Sequence, residues 1–75
     1  MASRKDAETA LTRVLLDKVR RDTHPSVSQM TVIEQTIPRE LVGEYLTILL
    51  KKVAADQNPS VPMMQRIQRV AQQMS

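Results

Sequence analysis

Apolar residues recur at helical spacing in four segments of the chain, each closed by a polar or proline-containing break. In the first segment Ala7, Ala10, Leu11, Val14, Leu15 and Val19 form one stripe, which predicts an amphipathic helix over residues 6–22. Asp6 and Glu8 stand in its first turn and Lys18, Arg20 and Arg21 in its last, each matched to the helix dipole. Arg13, Asp17 and Arg21 are spaced as an i,i+4 ladder on the polar face. A second helix is expected over 27–36, with Ser26 as N-cap, Gln29 at capping-box spacing, and Val27, Met30, Ile33 and Ile37 facing inward.

Pro38 stops the second helix and begins the third from its first turn. Over residues 38–55 Leu41, Val42, Tyr45, Leu46, Ile48, Leu49, Leu50 and Val53 cover roughly 200° of the circumference. That leaves Glu40, Gly43, Glu44, Thr47 and Lys51 for water, so the third helix is expected to touch at least two neighbours. The fourth is expected over 61–74, capped by Ser60, with Pro62 in its first turn and Met64, Ile67, Val70, Ala71 and Met74 as the buried stripe.

The second pair of segments repeats the first. Residues 15–33 laid on 49–67 without gaps agree at ten of nineteen positions, a period of 34 residues. Leu15/Leu49, Leu16/Leu50, Val19/Val53, Pro25/Pro59, Ser26/Ser60, Val27/Val61, Met30/Met64 and Ile33/Ile67 are among them. The tetratricopeptide repeat shares the period but needs Trp and Phe, and the chain has neither. The repeated residues read as a helix–corner–helix: Pro extends the residue before it, Ser caps the next helix, and Val staples the corner.

Composition narrows this pattern to one fold class. One glycine leaves little turn chemistry for hairpins of strands, and one aromatic residue, Tyr45, leaves a core of Leu, Val, Ile, Met and Ala. The expectation is an all-α, compact four-helix domain over residues 1–75, built from two tandem helical hairpins with a pseudo-two-fold. The repeat units fall at about 3–36 and 37–70, and residues 1–5 are expected to be a flexible start. Without cysteine there are no disulfides or thiolate metal sites. The polar opening "MASRKDAETA" has no apolar h-region behind it and the apolar runs are too short for a membrane span, so a cytoplasmic protein with no membrane partner is expected.

Candidate chemistry is sparse. His24 is the only histidine, and the repeat places Asn58 at its position, which marks a helix-exit residue rather than a base or ligand. Glu40 and Glu44 form an i,i+4 pair beside Lys51 on the polar strip, a solvated arrangement. One glycine cannot build a phosphate-cradling loop, and Tyr45 lies inside the apolar arc. No catalytic residue, metal site, cofactor or small-molecule substrate is expected, and the chain reads as non-enzymatic.

Two surfaces go beyond what folding requires. Leu16 and Leu50 lie at the edges of their stripes, about 180° from Ala7 and Leu41, and offer an apolar edge to another chain. The outer face of the fourth helix is Gln65, Arg66, Gln68, Arg69, Gln72 and Gln73, flanked by Met63, an adaptable contact residue. The leading expectation is a protein-interaction module, an adaptor or regulatory subunit that self-associates as a homodimer or binds a partner helix. It would contact its partner through Leu16, Leu50, Met63, Gln65, Arg66, Arg69 and Gln73. Nucleic-acid binding ranks behind it, with Gln65, Arg66, Arg69 and Gln72 as base-reading side chains. The net charge of +3, the absence of Lys from the fourth helix and the lack of stacking aromatics count against that alternative.

Overall fold

The computed structural model describes residues 3–56 and 60–73. They form four helices: α1 Arg4–Arg21, α2 Val27–Thr36, α3 Arg39–Ala55 and α4 Val61–Gln72. Among the described residues there is no strand. The chain divides between Pro38 and Arg39 into two compact units. Each is a helical hairpin, α1 paired with α2 in the first and α3 with α4 in the second. Expectations resting on Asn58, Pro59 and Met74 lie outside the described residues.

In the first hairpin, α1 starts two residues earlier than its apolar pattern suggests, because Ser3 closes a capping box. The Asp6 N–H donates to Ser3 Oγ and the Ser3 N–H donates to Asp6 Oδ2, both at 3.2 Å. Two otherwise orphaned N–H groups are thereby satisfied. Ser3 caps the helix and Arg4 and Lys5 begin it.

The larger correction is rotational. Of the predicted stripe Ala7, Ala10, Leu11, Val14, Leu15 and Val19, only Val19 is buried, and Leu15 is half-buried. The buried line is instead Thr12, Leu16 and Val19, so the helix is rolled by about a third of a turn. Burying Thr12 costs little because its hydroxyl donates to the Glu8 carbonyl oxygen at 2.9 Å. Leu16 and Val19 then deliver their full apolar area along the same line. The charge ladder also changes: Asp17 pairs with Arg21 at 3.2 Å and with Arg20 at 3.8 Å, all in exposed positions where such pairs contribute little.

Ser26 caps α2 by accepting the Gln29 N–H at 3.1 Å. Met30 and Ile33 are buried and Ile37 half-buried, while Val27 is exposed, so the valine staple expected at this corner is absent. The helix ends where Pro38 requires it. Ile37 is extended, with φ −64° and ψ 127°, and its N–H still donates to the Ile33 carbonyl oxygen at 2.8 Å.

Gln29 does not complete a capping box, and its Oε1 is buried without a hydrogen-bond partner. The equivalent residue of the second hairpin is Met63. Gln29→Met removes the orphaned acceptor and keeps the backbone N–H that Ser26 needs. It is expected to raise the free energy of unfolding by about 1 kcal/mol, read as a shift in the urea midpoint. A loss of stability would show that the amide contributes something its surroundings do not reveal.

In the second hairpin α3 buries Leu41, Val42, Tyr45, Leu46, Ile48 and Leu49. The polar strip Glu40, Gly43, Glu44, Thr47 and Lys51 is exposed throughout, as the pattern predicted. Ser60 caps α4 by accepting the Met63 N–H at 3.3 Å. The buried stripe of α4 is narrower than expected and is rolled: Val70 is buried, Met63 and Ile67 half-buried, Met64 and Ala71 exposed. Within the second hairpin α4 turns an i,i+4,i+7 line inward, and residues 63, 67 and 70 supply it.

Candidate functional site

The four elements distribute the predicted contact residues unevenly. Leu16, at the middle of α1, is 2% exposed and belongs to the hairpin core. Leu50, thirty-four residues further on and near the end of α3, is 54% exposed. Only Leu50 therefore remains as a surface contact, because the roll that buries Thr12 and Val19 also turns Leu16 inward.

The methionines divide in the same way. Met30 is 3% exposed and its counterpart Met64 is 38% exposed. Met63, expected at an exposed edge, is half-buried on the inward line of α4, so the adaptable surface methionine of this helix is Met64. Sequence spacing missed it because Met64 matches the buried Met30 of the first unit. Among the described residues of the second hairpin, the exposed large apolar side chains are Leu50, Val61 and Met64.

On the outer face of α4, Gln65, Gln68, Arg69, Gln72 and Gln73 are exposed. Arg66 is half-buried, on the edge nearest Val70, and is engaged in an interaction of its own. The face proposed for reading bases thus presents Arg69 openly, while Arg66 is half-buried. One exposed arginine over three turns of helix is a thin basis for phosphate or base contacts.

Little reactive chemistry is assembled elsewhere. His24 is exposed in the corner between α1 and α2, and Glu40 and Glu44 are exposed on α3. Tyr45 is fully buried. Among the described residues no three of His, Cys, Asp and Glu are grouped as a metal ion would require. No helix among them is long and apolar enough to cross a membrane.

No protein-family model, curated protein or solved structure matches the chain. The surfaces themselves must therefore carry any functional reading.

Proposed function

We propose that this chain is a small non-catalytic protein-interaction module, an adaptor or regulatory subunit that acts by binding another protein chain. The observation that supports this most is the unequal burial of the repeat. Leu50 and Met64 are held in water where the first hairpin buries Leu16 and Met30. Exposed large apolar side chains offer a partner chain a surface to bury, and a methionine among them adapts to varied partners.

The test compares the wild-type protein with Leu50→Gln combined with Met64→Gln. Association would be measured by sedimentation of the purified chain and by crosslinking in native lysate. The double variant is expected to keep its circular dichroism spectrum and to lose its complexes by about tenfold in apparent affinity. A wild-type chain that stays monomeric and crosslinks to nothing would end this reading. Sub-micromolar, sequence-dependent DNA binding lost in Arg69→Ala would replace it with the nucleic-acid alternative.

A further inference from the structure

We propose that Thr23 is a phosphorylation site, modified by a protein kinase that selects arginine two and three residues before the acceptor hydroxyl.

The other serines and threonines are occupied by folding. Ser3, Ser26 and Ser60 accept the N–H groups that cap α1, α2 and α4. Thr9, Thr12, Thr36 and Thr47 lie within helices and donate to the carbonyl oxygen four residues back, at 2.9–3.0 Å. Ser28 and Thr31 are helical as well. Among the described residues, Thr23 is the one serine or threonine that stands outside the helices and caps none of them. It is exposed, at the bend that joins α1 to α2.

The backbone there suits a kinase cleft. An acceptor oxygen must come into line with the γ-phosphate and within reach of the catalytic aspartate, which a hydroxyl inside a helix cannot do without unwinding it. Asp22, just before Thr23, is extended with φ −78° and ψ 129°, and Ser26 after it is extended with φ −70° and ψ 147°. Arg20 and Arg21 stand three and two residues ahead, with side chains 53% and 79% exposed. Cations at fixed spacing before a hydroxyl are a pattern by which kinases with acidic clefts choose substrates. Both arginines contact Asp17, at 3.8 and 3.2 Å, and such surface pairs are exchanged at little cost. The last turn of α1 must open as Arg20 enters the cleft, and terminal turns open at low free energy.

The second hairpin supplies an internal control. Thirty-four residues further on, the chain reads "AADQNPS" where the first corner reads "RRDTHPS". Asp, Pro and Ser occur in both, and Asp22 and Ser26 end α1 and cap α2. The arginine pair and the threonine occur only in the first. Since α3 and α4 pair with Ala54, Ala55 and Gln57 in those places, joining two helices does not require Arg20, Arg21 or Thr23.

In the reaction Thr23 Oγ1 bonds to the γ-phosphorus of magnesium ATP as the bond from that phosphorus to the bridging oxygen breaks. ADP leaves with the electron pair, and the hydroxyl proton passes to the aspartate of the kinase. Residues 20–24 hold two arginines and one aspartate, a net +1 with His24 neutral. A phosphate of about −1.5 to −2 charge turns the corner negative, so the modification reverses the sign of the surface at that end of the first hairpin.

The experiment uses the full chain, magnesium ATP and two probes, the arginine-directed catalytic subunit of a cyclic-AMP-dependent kinase and an acid-directed casein kinase. Intact mass counts the phosphates and fragmentation places them. The arginine-directed kinase is expected to add one phosphate, at Thr23, and the acid-directed kinase none. Thr23→Val should abolish incorporation and Thr23→Ser should restore it. Arg20→Ala with Arg21→Ala should lower kcat/KM by at least about tenfold with the circular dichroism unchanged. The chain isolated from its native cells with phosphatases inhibited is expected to carry phosphate at Thr23. Modification at Ser26 or Ser28 instead, a rate indifferent to the two arginines, or a native chain without phosphate at Thr23 would each overturn the proposal.

Discussion

Leu16→Ala is expected to cost about 2–5 kcal/mol of stability, whereas Leu50→Ala, the same substitution in the second hairpin, should cost well under ~1 kcal/mol. The difference lies wholly in environment. Leu16 is 2% exposed on the inward line of α1, and truncation leaves a cavity that Thr12 and Val19 cannot fill without shifting the helix. Leu50 is 54% exposed, so the removed methyl groups were already largely in water. Urea unfolding of the two variants beside wild type measures both values in one series. Equal costs would mean that the two hairpins bury their repeated leucines alike, contrary to the structure. The series also supports the association test, since it establishes that changes at Leu50 act on a folded chain.

Local punctuation was legible in the sequence, and rotation was not. Ser26 and Ser60 cap the helices at the positions predicted from their spacing, and Pro38 separates α2 from α3. These signals are local, because a cap or a proline acts on backbone groups within one turn. The buried arc of α3 was readable for Leu41, Val42, Tyr45, Leu46, Ile48 and Leu49, but Leu50, placed in the same arc by its spacing, is exposed and Val53 half-buried.

In α1 the apolar residues from Ala7 to Val19 spread over more than half the circumference, and the pattern does not say which part turns inward. The decisive residue is Thr12, which periodicity counts as polar but whose hydroxyl is satisfied by the Glu8 carbonyl. The repeat misled for a related reason. Identity between Leu16 and Leu50, or between Met30 and Met64, records a common residue, while burial depends on what packs over it. The candidate surface was therefore half legible. Leu50 and the exposed glutamines stood where the sequence suggested, while Leu16 and Met63 turned inward and Met64, Leu11 and Val14 turned outward.

The largest single loss is expected at Tyr45. It is the one aromatic residue of the chain, it is fully buried, and it is bracketed on α3 by Leu41, Val42, Ile48 and Leu49, all buried one turn above and below it. Tyr45→Ala removes the largest packed side chain and should cost about 3–5 kcal/mol. A 75-residue chain has a total of roughly 4–11 kcal/mol, so a substantial unfolded population is expected at 25 °C. Gly43, two residues away on the opposite side of the same helix, offers an internal control. It is exposed, and a Cβ placed there meets nothing within 4 Å. Gly43→Ala should therefore stabilise by about 0.8–1 kcal/mol through helix propensity alone. Facing away from Tyr45, it should recover the same amount in the Tyr45→Ala background. Thermal and urea unfolding of the two single variants and the double variant would measure all three quantities. A cost below about 1 kcal/mol for Tyr45→Ala would show that this ring is not the anchor of the second hairpin. Failure of Gly43→Ala to add would place the two residues in one coupled site rather than on opposite faces of a helix.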